Sequence, residues 1–125
     1  MSETTYVQEC SAITEVLNKY LEGNAKGSSA AMKPAFHEKA TIFGLHGTEL
    51  VGPEIQKLYD IVDTLTPSPN ARTAIARIDV AGTAANARVD SDNVAGYCFS
   101  DFFNLLKIDG KWVIVNKVYH TRSGT

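Results

Sequence analysis

The sequence predicts an α+β domain in which three helices come first and a sheet of mostly antiparallel strands comes last. Three observations predict this class. Apolar residues recur at three- and four-residue spacing in the first half of the chain, as on one face of a helix, whereas in the second half they alternate with polar residues, as in strands. Near the end, Asp109-Gly110 stands between two apolar runs, where this pair is typical of a two-residue β-hairpin turn.

The length and composition of the chain are those of one folded domain, residues 1–125. With 44% apolar residues and a net charge of -2, the chain can form a core and has no basic excess that would attract nucleic acid. No apolar run approaches the roughly 20 residues of a membrane-spanning helix, and the start has no signal-peptide pattern, so we expect a cytoplasmic protein. Cys10 and Cys98 stand alone without metal-ligand spacing, so we expect neither a metal nor a cofactor.

Two helices are predicted before the first strand. The first begins at the capping-box sequence T-x-x-Q of residues 5–8, continues with apolar residues at helical spacing, and ends near Gly23 or Gly27. The second runs from residue 28 or 29 to about residue 36, with a serine as its N-cap and a proline that limits its length.

A strand, a short edge strand and a third helix follow. Residues 40–46, ATIFGLH, contain β-branched and aromatic residues and lead into a turn, so they predict a strand, and residues 49–51 predict the edge strand. The third helix is predicted to start at Gly52-Pro53-Glu54, where the proline takes the first helical position, and to continue through Leu65. The sequence TPSPN then ends it.

The rest of the chain predicts four strands. Residues 72–81 and 83–90 each alternate, with a glycine between them as the turn. In the last hairpin the Asp-Gly turn pairs Ile108 with Lys111, and regular alternation from this pair sorts the remaining side chains onto two faces. One face then carries Phe102, Asn104, Lys117 and Tyr119, and the other carries Asp101, Phe103, Trp112 and Asn116.

Both faces of this hairpin are too apolar for open solvent. The helices of the same chain can cover one face of the sheet. A large exposed apolar patch usually marks an interface, and in a chain this small the simplest cover for the second face is another copy of itself. We therefore expect a homodimer formed through the sheet.

The order of these elements, together with the phrases KYLEGNAKGS, FHEKATIFG and DGKWVIVNKVYH, resembles the nuclear transport factor 2-like (NTF2-like) superfamily. Within it the chain is similar to the SnoaL-like and putative lumazine-binding branch of small bacterial proteins, over nearly its whole length. The resemblance implies a cone, in which a strongly bent antiparallel or mixed sheet wraps around three helices and encloses a deep pocket. This superfamily contains isomerases, cyclases, hydrolases and binding modules, so function has to be argued from residues.

Ketosteroid isomerase, a member of this superfamily, uses an aspartate base and an oxyanion hole built from a tyrosine and a protonated aspartate. By the resemblance, Tyr20 matches the tyrosine and Asn104 takes the place of the second donor. Gly44 stands where the base is expected, and a glycine cannot accept a proton. We therefore do not expect the reaction of the isomerase itself, while Tyr20 and Asn104 remain candidates for holding a carbonyl or hydroxyl group.

Two residues are candidates for the missing proton acceptor. Strand alternation directs His46 to the same side as Gly44, toward the pocket, where an imidazole can act as general acid or base. An exposed histidine in the following turn is the alternative. Asp101 is the second candidate, although regular alternation places it on the face opposite Asn104.

The remaining candidates bind rather than react. We expect Phe102, Asn104 and Tyr119 to line the pocket together, unless a β-bulge breaks the alternation of the hairpin. Tyr59 lies on the apolar side of the third helix, from which its hydroxyl can reach the pocket. With Tyr20, these four residues are the predicted ligand-binding set.

Two functional hypotheses follow. The first is a small-molecule binding module whose apolar cone takes a cyclic or aromatic compound, because no base is found at the expected position. The second is a cofactor-independent isomerase, lyase or cyclase, with His46 or Asp101 as proton acceptor and Tyr20 with Asn104 stabilising an enolate-like oxygen. A role in subunit assembly alone would require no polar group in the pocket.

Overall fold

Helix α1 (Tyr6–Lys26) begins where the sequence predicts it in the computed structural model, which describes residues 4–124. The Thr5 side chain accepts a hydrogen bond from the N–H of Gln8 at 3.2 Å, and the Gln8 side chain accepts one from the N–H of Thr5 at 2.7 Å. The predicted capping box is thus confirmed. The helix ends at Gly27, whose φ of 66° is the left-handed conformation that glycine adopts without strain.

The other helices are shorter than predicted. Helix α2 (Ser29–Met32) passes into a 3₁₀ turn (Lys33–Ala35) instead of continuing to residue 36. Helix α3 (Gln56–Val62) begins three residues after Pro53, so the predicted start at this proline is wrong. The Pro53 carbonyl accepts a hydrogen bond from the N–H of Ile42 at 2.8 Å. The segment before α3 therefore extends the hydrogen bonding of the sheet and cannot open the helix.

Within residues 4–124, six strands form one sheet in the order β2-β1-β6-β5-β4-β3. β1 pairs with β6 in parallel, and every other neighbouring pair is antiparallel. The predicted α+β class and order of elements are confirmed. The bounds of the strands are β1 (Phe36–His46), β2 (Glu49–Val51), β3 (Arg72–Ala81), β4 (Ala84–Val94), β5 (Tyr97–Ile108) and β6 (Lys111–Gly124).

The β5–β6 hairpin follows the predicted register only near its turn. Ile108 pairs with Lys111, and the register holds as far as Leu105, which pairs with Ile114. The next pair joins Asn104 to Asn116, so β6 carries one extra residue at this point. Such a β-bulge reverses which side chains of the two strands share a face. The predicted register is therefore wrong for the rest of the hairpin.

The helices cover one face of the sheet, called here the inner face. Along β5 the side chains of Asp101, Phe103 and Leu105 point inward, with exposed fractions of 0%, 0% and 1%. Ile13 and Leu17 of α1 pack in the same core. Burial of large aliphatic and aromatic side chains of this kind contributes about 1.5–3 kcal/mol each to folding.

The opposite face, called here the outer face, carries two rows that cross the strands. An apolar row consists of Phe43 from β1, Val118 from β6 and Phe102 from β5, which pair across the sheet and are 38%, 43% and 38% exposed. A polar row of side-chain hydrogen bonds runs beside it. Its members are Arg77, Asn86, Asn104, Asn116 and Thr41.

Candidate functional site

A cavity of about 420 Å³ lies between the inner face of the sheet and the helices α1 and α3. Aliphatic side chains of α3, β1 and β2 form much of its wall. Its buried end is formed by Tyr20 and Lys117, which are 1% and 5% exposed, and its open end carries the exposed His46. The polar residues on the wall are Tyr20, Asn24, His46, Glu49, Thr64, Tyr97, Lys117, Tyr119 and Thr121.

Three ionisable side chains meet at the buried end of this cavity. The Lys117 amine donates a hydrogen bond to the Tyr20 hydroxyl at 2.7 Å, and that hydroxyl donates to Oδ2 of Asp101 at 2.9 Å. The lysine Nζ lies 3.7 Å from Oδ1 of the same carboxyl group. Within residues 4–124 this Oδ1 atom is buried and accepts no hydrogen bond. We call these three residues the buried cluster.

The β-bulge is what brings the buried cluster together. Because β6 carries the extra residue, Lys117 pairs with Phe103 and Tyr119 pairs with Asp101, all on the inner face. Tyr20 approaches from α1, one turn beyond Leu17. A regular hairpin would have placed the lysine and the aspartate on opposite faces of the sheet.

Burial shifts both charged members of the cluster toward their neutral forms. Desolvation raises the pKa of the Asp101 carboxyl, while Lys117 and Tyr20 act in the opposite direction. Desolvation lowers the pKa of the Lys117 amine, and Asp101 opposes this shift. The pKa of Tyr20 is raised well above its ordinary value by burial and by the neighbouring Asp101. The tyrosine therefore keeps its proton, and the lysine and aspartate can exchange one.

The hydrogen bonds within the buried cluster determine which of its members still has a proton to donate to a ligand. A tyrosine has one hydroxyl proton, and Tyr20 donates it to Asp101. Asp101 is fully buried and does not line the cavity. The Lys117 amine has further protons and lies on the cavity wall. Lys117 is therefore the member of the cluster that has a free proton to donate to a bound molecule.

Tyr119 occupies the wall next to the cluster. Its ring lies over Gly44, with which it pairs in the parallel ladder, and the Lys117 Nζ lies 5.2 Å from its centroid. The same Nζ lies 4.6 Å from the centroid of the Tyr20 ring. The amine is thus held between two aromatic faces, which favour a cation. Tyr119 lines the cavity, as expected from the sequence, and burial raises the pKa of its hydroxyl.

His46 lies at the mouth of the cavity, at the end of β1. Its side chain lines the open end, as the alternation predicts, but it is exposed to solvent. It pairs with Glu49 across the β1–β2 turn, so a second ionisable group stands beside it. Both side chains are exposed to solvent, unlike the buried residues at the closed end. His46 can therefore contact only the outer part of a bound molecule.

The predicted placement of Phe102 and Asn104 in the pocket is wrong. On β5 these residues alternate with the buried Asp101 and Phe103 and therefore point to the outer face, where Phe102 joins the apolar row. Asn104 accepts a hydrogen bond from Asn86 at 2.9 Å and donates one to Asn116 at 3.2 Å. Its amide is therefore used within the sheet, and the predicted donor pair of Tyr20 and Asn104 does not form.

Tyr59 lies away from this cavity as well. Its ring packs edge-on against Phe36 with centroids 6.1 Å apart, and the Lys33 Nζ lies 5.2 Å from its centroid. It lines a separate groove of about 510 Å³ beside the start of β1. The expectation that the Tyr59 hydroxyl reaches the pocket is therefore wrong, because the ring packs against Phe36 and faces the other groove.

The sequence reasoning missed Lys117 and Asn24. A lysine within the otherwise apolar run WVIVNKVYH is a signal, because a lysine on a buried strand requires a partner. Shifting the hairpin by one residue gives it Asp101 as that partner on the same face. Asn24 is buried near the end of α1, on the cavity wall. Nothing in its sequence context distinguishes it from a helix-end asparagine.

Two kinds of feature are not found among residues 4–124. No group of three or more His, Cys, Asp or Glu residues is placed to hold a metal ion. In the same part of the chain, no helix is both long and apolar enough to cross a membrane.

These features define a small α+β cone whose pocket holds an amine, a phenol and a carboxyl group at its closed end. The model of the family described as putative lumazine-binding matches residues 8–120. The chain belongs to this family, and the resemblance seen in the sequence is confirmed.

Solved structures of NTF2-like proteins share the whole fold. One from Shewanella baltica OS155 is 55% identical, with a TM-score of 0.94 over 98% of this chain and 100% of that one. One from Methylobacillus flagellatus KT is 46% identical, with a TM-score of 0.90 over 98% and 99% of the two chains. Both are described as proteins of unknown function. They establish the NTF2-like fold of this chain.

Two further relatives carry the names of activities. A protein named aldolase FrzH, from Cladobotryum sp., is 35% identical over 117 residues, which are 90% of this chain and 91% of that protein. A ketosteroid isomerase-like protein from Erwinia carotovora atroseptica SCRI1043 is 14% identical, with a TM-score of 0.68 over 90% and 95% of the chains. The second likeness concerns the fold alone.

Proposed function

We propose that this protein is a cofactor-independent lyase or isomerase that acts on a small cyclic or aromatic carbonyl compound, at the carbon next to the carbonyl group. The observation that carries the proposal is the Lys117 amine on the wall of an apolar cavity, 2.7 Å from the Tyr20 hydroxyl. A cavity of about 420 Å³ suits a compound of this size. The relative named aldolase supports an aldol-type reaction, in which a carbon–carbon bond is made or broken beside a carbonyl.

Such a reaction requires two things of the site. The developing negative charge on the carbonyl oxygen has to be stabilised, and a proton has to be moved near the reacting carbon. An N–H of Lys117 is available for the first task in a cavity whose wall is mostly apolar. Asp101 serves the second through Tyr20 and Lys117, and His46 serves it at the open end. The two proton acceptors expected from the sequence thus have distinct places in the proposal.

A module that only binds an apolar molecule is the competing hypothesis. Burying a lysine and an aspartate is expensive, because both lose their hydration, and replacing such a pair by apolar residues is often neutral or stabilising. A purely apolar cone would bind a cyclic or aromatic compound without that expense. The presence of the buried cluster at the closed end therefore favours chemistry over binding alone.

Hydrogen exchange at carbon tests the proposal without knowledge of the natural substrate. The protein is incubated in D₂O with cyclohexanone, acetophenone or phenylacetaldehyde, and loss of the signal of the hydrogens next to the carbonyl is followed by ¹H NMR. We expect the wild-type protein to accelerate exchange and both Lys117→Met and Asp101→Asn to reduce it by about 10²-fold or more. His46→Ala reports whether the open end takes part.

Equal rates for the wild type and the two cluster variants, with every compound, would reject the enzymatic proposal in favour of binding. Circular dichroism and urea unfolding of each variant show whether a lower rate reflects lost structure. The double variant Lys117→Met/Asp101→Asn serves as the folded control, because it leaves no unpaired charge in the core.

We further propose that the outer face of the sheet is covered by a second copy of the chain. The apolar row of Phe43, Val118 and Phe102 is exposed, and patches of this kind mark interfaces. The flanking groups are uncharged amides or internally paired, since Arg88 lies over the Phe102 ring at 5.4 Å and pairs with Asp90. A two-fold axis brings each such surface against itself, so the lack of a net charge there favours a symmetric dimer.

A further inference from the structure

We propose that Lys117 reacts covalently with the substrate, its Nζ forming an imine with the carbonyl carbon, while Tyr20 and Asp101 handle the protons from behind it. This inference rests on the proposed function and names the reacting group of that site. The chemical class of substrate is then an aldehyde or ketone, since a carboxylic acid or amide does not form an imine with an amine under mild conditions. The experiment below separates failure of this step from failure of the proposed function.

Lys117 has the access to the cavity that a nucleophile needs. Of the buried cluster, Lys117 and Tyr20 line the cavity, whereas Asp101 lies behind them with no exposed surface. Tyr20 is a poor nucleophile here, because its proton is held by Asp101 at 2.9 Å and a tyrosinate would be strongly disfavoured in this buried position. The lysine amine is therefore the group in the cluster that can approach a carbonyl carbon.

A proton acceptor for the Lys117 amine lies close to it, in the carboxyl group of Asp101. An amine attacks a carbonyl only in its neutral form, so Lys117 first has to lose a proton. Oδ1 of Asp101 lies 3.7 Å from the amine, is buried, and accepts no other hydrogen bond among the described residues. Moving the proton from the amine to this oxygen leaves the total charge of the cluster unchanged. No charge has to be carried to or from solvent.

The surroundings of the Lys117 amine favour its neutral form. The phenyl portion of Tyr20, the ring of Tyr119 and aliphatic side chains surround the amine. In such surroundings desolvation favours the neutral amine and the protonated carboxyl, in agreement with the directions of the pKa shifts of Lys117 and Asp101. Buried lysines of this kind are those that act as nucleophiles toward carbonyl compounds.

The step balances without an external reagent. The lone pair of the neutral amine bonds to the carbonyl carbon, and the C=O pair moves to the oxygen. This oxygen takes the hydroxyl proton of Tyr20, which lines the cavity, while the Tyr20 oxygen takes the proton of the Asp101 carboxyl. The nitrogen, now positively charged, returns a proton to Asp101, which gives a neutral carbinolamine. Asp101 then protonates the hydroxyl by the same route through Tyr20, the C–O bond breaks to release water, and the nitrogen lone pair forms the C=N bond.

The product of these steps is a protonated imine next to the Asp101 carboxylate. The positively charged C=N group withdraws electrons from the neighbouring carbon, so a proton there can pass through the Tyr20 hydroxyl to the Asp101 carboxylate and leave its bonding pair behind. A carbon substituent that bears a hydroxyl group can likewise leave as a carbonyl compound, with its hydroxyl proton passing to Asp101 by the same route. That pair forms the C=C bond of an enamine and neutralises the nitrogen. Hydrolysis by one water reverses the first steps and frees Lys117. The ion pair between iminium and carboxylate replaces the original lysine–aspartate pair.

Reductive trapping tests this inference. The wild-type protein is incubated with cyclohexanone and sodium cyanoborohydride, and intact-protein mass spectrometry is followed by peptide mapping. We expect one cyclohexyl group on Lys117, formed much faster than on any other lysine. Asp101→Asn and Tyr20→Phe are expected to slow its formation by about 10²-fold. Lys117→Met is expected to give no adduct at this rate.

Lys107→Met is the matched control. Lys107 lies on the same hairpin, is partly buried, and is paired with Glu9 at 2.9 Å, yet it is outside the cavity. The adduct on Lys117 should form in this variant at the wild-type rate. Because Lys117→Met leaves Asp101 without its partner, the double variant Lys117→Met/Asp101→Asn provides a folded protein that lacks the amine.

The outcomes separate the two proposals. Carbon hydrogen exchange that requires Lys117, without any trapped adduct on it, overturns the imine and leaves the proposed function, with the lysine acting as a hydrogen-bond donor. Adducts spread over surface lysines at equal rates overturn the imine as well. Neither exchange nor adduct with any of the compounds overturns both. Selective labelling of Lys117 that depends on Asp101 and Tyr20 supports the imine.

Discussion

The ring of Tyr119 lies against the backbone of Gly44, so that a Cβ atom at position 44 would stand 2.5 Å from Cζ of the tyrosine. Position 44 is where the resemblance to ketosteroid isomerase places the catalytic base. Position 44 is occupied by a glycine because the Tyr119 ring leaves no room for a side chain there. The ionisable groups at the buried end of the pocket lie instead on β6 and β5, where Lys117 and Asp101 point to the inner face.

The first prediction concerns this contact. Gly44→Ala adds one methyl group against a ring that is already packed, and overpacking of this kind costs about 1–3 kcal/mol. Gly44 does not have a positive φ, so an alanine there meets no backbone strain. We expect the free energy of unfolding in urea to fall by that amount in Gly44→Ala. In the background of Tyr119→Ala the same change should be nearly neutral, and equal losses in both backgrounds would contradict the packing explanation.

The second prediction concerns the proton on Lys117. Because burial disfavours the charged amine, its pKa should lie below the ordinary value of a lysine amine. The Asp101 carboxylate opposes this shift, so Asp101→Asn should lower the pKa of Lys117 further. The measurement is an NMR titration of ¹³Cε-labelled lysines, with the signal of Lys117 identified by its absence in Lys117→Met. A titration of Lys117 together with the exposed lysines would contradict the prediction.

The third prediction concerns stability and pH. In Lys117→Met the Asp101 carboxyl loses the neighbouring charge that lowers its pKa, so its pKa in the folded protein rises further above the value of about 3.9 in the unfolded chain. Between these two values the folded state binds more protons than the unfolded state. The free energy of unfolding of the variant therefore falls as the pH rises through this interval.

In the wild type, Lys117 contributes in the opposite direction. Its pKa in the folded state is lowered, so the unfolded state binds more protons between that value and the ordinary one, and stability rises with pH there. The loss of stability in Lys117→Met relative to wild type should thus be small near about pH 4 and approach about 3 kcal/mol near about pH 8. Urea unfolding at both pH values measures it, and Lys117→Met/Asp101→Asn should show no such growth.

Local patterns were sufficient for most of the fold. The capping box, the Asp-Gly turn and the alternation of Ala85, Ala87 and Val89 depend on neighbouring residues, and all were predicted correctly. The family resemblance added the cone. The position of α3 was less accurate, because the hydrogen bond between Ile42 and Pro53 joins segments that are distant in sequence.

The site was predictable only in part, because a single extra residue in β6 decides it. Tyr20, Tyr119 and His46 were placed on the cavity wall correctly. Alternation along β5 correctly put Asp101 and Asn104 on opposite faces, but the prediction directed the face of Asn104 toward the pocket, whereas Asp101 lies on the inner face. The bulge in β6 then brings Lys117 and Tyr119 to the face of Asp101. A β-bulge is stabilised by tertiary contacts, here the burial of Lys117 against Asp101 and Tyr20, and no local pattern marks its position.

The fourth prediction concerns the outer face. Val118 stands at the centre of the apolar row between Phe43 and Phe102, and it is 43% exposed in the single chain. A lysine at this position would bring two positive charges together across a two-fold axis and would have to be desolvated, whereas in a monomer it would remain in water. We expect the wild type to sediment as a dimer at micromolar concentration and Val118→Lys to sediment as a monomer with nearly unchanged secondary structure.

The matched control for this change is Val7→Lys. Val7 is 71% exposed on α1, away from the outer face, so the same substitution adds the same charge without touching the apolar row. This variant should remain dimeric. A monomeric wild type would remove the proposal, and a dimer that survives Val118→Lys would move the interface to another surface. Because Val118 precedes Tyr119 on β6 and faces the opposite side of the sheet, the variant should also keep the trapped adduct on Lys117 if the pocket functions within one chain.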